Sequence, residues 1–145
     1  DGVAIQEIPI SSSEELPRAV GDFIRRLIGQ EGFDFSDIVV LTGQGGRLFL
    51  RRDKNVPAVH GISYRFLEND WASAHKHPMV ACGPVMSFRG MESPVVILAD
   101  IDEMLAQDLV EACYVGMSRA RHVLAIVGSP STLARVRRGL SEDAE

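Results

Sequence analysis

The chain has 145 residues, 46% of them hydrophobic and 24% charged, with a formal net charge of −5. That size fits one domain with its own core, and the mixed composition excludes disordered, collagen-like and coiled-coil chains. The acidic balance excludes a domain whose whole surface binds nucleic acid, while leaving room for a local basic site.

In chain order, the apolar run 3–10 reads as a first strand. Over 13–28 the residues Leu16, Ala19, Val20, Phe23, Ile24, Leu27 and Ile28 form one stripe at helical spacing. Ser12 with Glu15 has the capping-box pattern at its start, and Gly29 is the expected stop. Residues 38–41 are a second strand. Beyond it Gly43, Gly45 and Gly46 open a loop, 47–52 fits a strand or a helical turn equally, and 56–65 reads as extended. Residues 95–99 form a strand. The helix expected over 104–118 points Leu105, Leu109, Ala112, Cys113 and Gly116 inward and Glu103, Asp108 and Glu111 outward. Residues 123–127 form the next strand. A last helix starts with Ser129 as cap and Pro130 at its first position, with Leu133, Val136 and Leu140 inward and Arg135, Arg137 and Arg138 outward.

The runs 38–41, 95–99 and 123–127 are continuous rather than alternating, as strands covered on both faces are. Strands alternating with helices predict an α/β fold with right-handed crossovers and a mostly parallel sheet flanked by helices. Ligands of such sheets are expected at the carboxyl ends of the strands. Cys82 and Cys113 stand among apolar neighbours and read as core residues of a reducing compartment. No apolar run reaches about 18 residues and no signal peptide is visible, so the expected setting is cytoplasmic, without a membrane partner. The chain opens on Asp1 rather than Met, and residues 1–145 are expected to be a single domain excised from something longer.

Several nucleotide and metal signatures are missing. No G-x-x-x-x-G-K-[ST] occurs, so the backbone nest and lysine that hold nucleotide phosphates are absent. "VVILADIDE" has the outline of a magnesium-binding strand end, but Asp100 and Glu103 fit better as the capping box of the following helix. "VLTGQGGR" places Leu48 where a dinucleotide fingerprint needs its third glycine, which leaves a tight turn. His75 and His77 lack a cysteine or carboxylate at ligand spacing, and no metal site is expected.

Two stretches remain. In "PVMSFRGMESPVVIL", Arg89, Gly90 and Glu92 precede a buried strand: a cation, a glycine permitting close backbone approach and a carboxylate. In "EACYVGMSRARHVLAIVG", Arg119 closes a helix. Two readings stand for it: a cation complementing the helix dipole, worth about 0.3–1 kcal/mol, or an anion contact.

Together these stretches resemble motifs V and VI of the UvrD/Rep-type superfamily I helicases. Motif V there reads approximately T-h-H-x-x-K-G-h-E before an apolar strand, and this chain has Pro84-Val85-Met86-Ser87-Phe88-Arg89-Gly90-Met91-Glu92. Motif VI reads approximately Y-V-[AG]-h-[TS]-R-A with a basic residue and a strand after it. This chain has Tyr114-Val115-Gly116-Met117-Ser118-Arg119-Ala120-Arg121. "DIVVLT", residues 37–42, is similar to the strand of motif IV, so the resemblance spans most of 37–128.

The resemblance implies a RecA-like three-layer fold, the second motor domain of such a helicase, without the large subdomain inserted in UvrD itself. It implies ATP and Mg2+ held mainly by an N-terminal phosphate-loop domain of the same protein, and single-stranded DNA or RNA as the track. By the same resemblance Arg119 is the arginine finger, Glu92 accepts a ribose hydroxyl, and Gly90 and Arg89 belong to the nucleotide site. Ser87 and Ser118 are candidate nucleic-acid contacts. The isolated chain would then be inert as an ATPase. The sequence departs from the pattern where Pro84 and Met86 replace a Thr and a His linked to strand contact. It departs again where Leu41 and Thr42 hold the places of motif IV's aromatic and arginine, a charge that Arg47 could supply from the glycine loop. Two other readings stay open: a degenerate RecA-like binding or regulatory module, and an independent mononucleotide-binding protein using "TGQGGR".

Overall fold

A computed structural model describes residues 3–43, 60–66, 79–88 and 90–143. Arg47, His75, His77, Arg89 and most of the glycine loop lie outside the described residues. Six strands form one sheet: β1 (Ala4–Pro9), β2 (Ile38–Thr42), β3 (Tyr64–Phe66), β4 (Val80–Pro84), β5 (Ser93–Ala99) and β6 (Ala120–Gly128). Three helices accompany them: α1 (Leu16–Glu31), α2 (Ala106–Arg119) and α3 (Pro130–Asp143). The strand order is β1-β6-β5-β2-β4-β3, and every pairing is parallel. The expected α/β architecture is therefore present, with a sheet parallel throughout the described residues.

The three layers follow from alternation in the central strands. Val95, Ile97 and Ala99 of β5, with Val123, Ala125 and Val127 of β6, pack under Leu16, Val20, Phe23, Ile24 and Leu27 of α1. Their neighbours Val96, Leu98, Leu124 and Ile126 turn to the other face, against Leu109, Ala112 and Cys113 of α2 and Leu133 and Val136 of α3. Both faces are covered, which is why these strands read as unbroken apolar runs. Cys82 and Cys113 are both buried, as their surroundings suggested. Burial pushes the Cys113 thiol up to about 11.

Local signals were displaced in several places. Helix α1 runs past Gly29 and ends at Gly32, whose φ of +78° suits glycine. Phe33 N–H donates back to Leu27 O at 3.2 Å, and its ring packs on the core. Gly32 N–H closes on the same Leu27 O, so the helix ends on a left-handed glycine followed by an apolar contact, a combination Gly29 cannot make because Gln30 follows it. At the other end Ser12 makes no side-chain cap bond; a 3-10 turn, Ser13–Glu15, leads into the helix, and Glu15 accepts from Ser11 N–H. A complete capping box forms instead between Asp34 and Asp37, just before β2. Leu105, expected in the α2 stripe, is 67% exposed and stands at the N-cap. Strands β3 and β4 carried no clear periodicity. β4, "VACGP", ends in Gly and Pro and becomes a strand because β2 and β3 flank it.

Candidate functional site

The two motif-bearing stretches meet at the amino ends of β5 and β6. These strands are neighbours, with Ser93 opposite Ala120. Glu92 and Arg119, each one residue upstream, therefore enter adjacent strands, which lie about 4.8 Å apart in a sheet. The residues that the sequence singled out some way apart share one edge. That edge is the amino one, so the expectation of a site at the carboxyl ends does not describe this pair.

Arg119 is the last residue of α2, and Ala120 leaves the helix in extended conformation with its N–H still bonded to Gly116 O. The guanidinium is half-buried, and its Nε is shielded from solvent with no hydrogen-bond partner. A helix-dipole role needs only a charge near the last carbonyls, and leaves a sheltered donor unsatisfied. Glu92 is exposed and pairs with neither Arg119 nor Arg121. Gly90 has a φ of +77°, and a side chain there would meet nothing within 4 Å. The glycine is thus required for the turn into β5 rather than by crowding. Ser87 lies in the 3-10 turn Val85–Phe88 that follows β4. Ser118 is exposed, and its Oγ donates to Val115 O at 3.0 Å, a bond within its own helix.

The edge is braced from two sides. Ser93 Oγ donates to Asp37 O at 2.7 Å, tying the entry of β5 to the turn that leads into β2. Gly116, three residues before Arg119, lets α2 approach the sheet: a Cβ there would fall 2.8 Å from Leu124 Cδ1 and 3.3 Å from Leu98 Cδ1. The seat of the helix end, and of Arg119 with it, depends on that contact.

The carboxyl edge holds a different network, centred on Asp102, which sequence reasoning passed over. Asp100 and Glu103 do not cap α2, whose N-cap is Leu105 without any side-chain bond. Asp100 instead takes a left-handed φ of +55° in the bend after β5 and is buried. Asp102 Oδ1 accepts Ser129 N–H at 2.8 Å, at the entry to α3. Burial would raise the Asp102 carboxyl, but hydrogen bonds from Thr132 and Ser129 and the nearby Arg135 charge outweigh it and hold it below its ordinary value. Ser129 Oγ accepts from Thr132 N–H at 3.3 Å, so the cap expected at Ser129 forms. Arg135, expected to face solvent, donates to Met104 O and Asp102 O, each at 3.1 Å. Its fork fastens the loop between β5 and α2 onto α3. The only hint in the sequence was an acid three residues past a strand end, with no way to know which helix it would meet.

Among the described residues no group of three or more His, Cys, Asp or Glu side chains could hold a metal ion. Nor is any described helix long and apolar enough to cross a membrane.

The fold and this edge can be set beside known proteins. No protein-family model matches the chain, and no curated protein matches it significantly. Among solved structures it is similar to the C-terminal domain of a possible DNA helicase from Lactobacillus plantarum WCFS1. The TM-score is 0.55 at 18% identity, over 94% of this chain and 81% of that one. At that identity the likeness shows the fold: a parallel α/β sheet between helical layers, consistent with a RecA-like domain.

Proposed function

We propose that the chain is the second RecA-like motor domain of a UvrD/Rep-type superfamily I helicase. It would complete an ATP site whose phosphate loop and Mg2+ ligands belong to a preceding domain of the same protein. The observation that carries this reading is the register of β5 and β6, which seats Glu92 beside Arg119 at one edge. Arg119 offers a sheltered, unsatisfied Nε, and Glu92 an exposed carboxylate able to take a ribose hydroxyl. As the bond to the leaving ADP breaks, a guanidinium fork neutralises charge on the γ-phosphate; lysine, a point charge, does this less well. Loss of the γ-phosphate removes that attraction, so hydrolysis would loosen the cleft and move one domain against the other along a single strand.

The test is ATP turnover by the full-length protein with and without single-stranded DNA. Arg119→Ala should lower turnover by about 10³–10⁵-fold, the range seen for arginine fingers, with Arg119→Lys recovering little. Turnover unchanged in Arg119→Ala refutes the assignment.

One observation favours the second reading, a binding or regulatory module without ATPase function. Thr42, at the place of motif IV's arginine, is buried and donates to Gly83 O at 3.4 Å, while Pro84 closes β4. Neither can touch a phosphate. A full-length protein that binds single-stranded nucleic acid but never hydrolyses ATP would decide for the module.

A further inference from the structure

The pairing of β5 with β6 slips just downstream of Arg119. Ser93 lies opposite Ala120, but Val95 lies opposite Val123, so one residue of β5 faces two of β6. The cause is visible in the sequence: the residue between is Pro94, which has no N–H to give to the ladder. A bulge of this kind frees residues from the pattern of a covered strand and re-aims their side chains. Arg121 and His122 are both exposed, whereas every residue of 123–128 is buried. The His122 ring is taken up by Phe33, with ring centroids 6.4 Å apart. Arg121 makes no hydrogen bond or ion pair among the described residues. With 20 acidic residues against 15 basic ones in the chain, leaving Arg119 and Arg121 both without a carboxylate runs against composition.

We infer that Arg121 is a second phosphate-binding residue of this edge, presented by the Pro94 bulge. The inference rests on the motor-domain reading above. Ala120 stands extended between the two arginines, at φ −82° and ψ 126°. Two residue rises of about 3.3 Å then place their Cα atoms within about 6.6 Å of one another. Two forks so spaced can hold different phosphate groups of one triphosphate, each by charge-assisted bonds. Arg119 senses the phosphate that leaves; Arg121 adds affinity that ground state and transition state share.

That division predicts a particular kinetic split in the full-length protein. Arg121→Ala should raise KM for ATP about tenfold, the effect of one lost charge-assisted bond, and leave kcat within about twofold. Arg121→Lys should restore most of the lost affinity, because a point charge suffices for ground-state binding. Competitive inhibition by ADP should weaken in Arg121→Ala by less than the KM changes if Arg121 reaches the γ-phosphate, and by as much if it reaches the inner phosphates. Either ADP result supports the inference. An unchanged KM in a folded Arg121→Ala protein overturns it, even where Arg119→Ala abolishes turnover. If instead Arg119→Ala leaves turnover intact, the motor-domain reading has failed, and an altered KM in Arg121→Ala could not rescue it.

Discussion

Gly116 offers the sharpest quantitative test of how the candidate edge is held. An alanine Cβ at this position would lie 2.8 Å from Leu124 Cδ1, 3.3 Å from Leu98 Cδ1 and 3.4 Å from Leu98 Cγ. Both leucines are fully buried, so neither can swing clear without displacing the layer behind it. Alanine recovers about 1 kcal/mol of helix propensity over glycine. Overpacking at such a contact costs about 1–3 kcal/mol. The two oppose each other, so Gly116→Ala should destabilise by about 0–2 kcal/mol. Gly116→Val adds two methyl groups to the same space with less propensity in return, and should cost about 3 kcal/mol or more. Urea unfolding of the chain would measure this as a fall in midpoint at constant slope, with a thermal midpoint lowered by roughly 3–4 °C for each kcal/mol. The expected order of stability is parent, then Ala close behind, then Val well below. A Val variant as stable as the parent would refute the close seat of α2 on Leu98 and Leu124.

Asp102→Ala removes the acceptor for Ser129 N–H at the entry of α3 and should cost about 1–2 kcal/mol, as the loss of a helix cap does. Because the folded carboxyl is held below its ordinary value, its contribution is present above the ordinary carboxylate range and is lost as pH falls through the folded value. Unfolding free energies measured from pH 7 down into acid should therefore converge for parent and variant; a gap that stays constant would show that the charge of Asp102 plays no part. Cys113 is buried, and its thiol is pushed up to about 11. At pH 8 a thiol reagent should leave the folded chain's Cys113 unlabelled over times in which the urea-unfolded chain reacts fully; rapid native labelling would place the residue outside the core.

Much of this molecule was legible locally. Apolar stripes at helical spacing marked α1, α2 and α3, and the continuous runs marked β2, β5 and β6, because burial on one or both faces leaves a periodic trace in side-chain type. Ser129 with Pro130 announced the start of α3 correctly, since a cap is made from residues a turn apart. The misreadings fell where a local rule had two candidates and distant packing chose between them. Gly29 and Gly32 are equal as glycines, but only Gly32 is followed by a residue that buries on the core. Asp100 and Glu103 had the spacing of a cap, yet the acid that met a helix was Asp102, and the helix it met was α3 rather than α2. Arg135 looked like a solvated charge until Met104 O and Asp102 O came within its reach.

The candidate edge divides the same way. The residue types and spacings of R-G-M-E and Y-V-G-M-S-R-A stand in the chain itself, and so does the proline that interrupts the ladder. A one-dimensional string carries such motifs because each is a local demand: a left-handed turn at Gly90, a thin helix face at Gly116, a missing donor at Pro94. That Glu92 and Arg119 stand side by side, at the amino ends of the strands, was decided only by the parallel register of Ser93 with Ala120. Hydrogen bonding between strands far apart in sequence sets that register, and no periodicity within either segment encodes it.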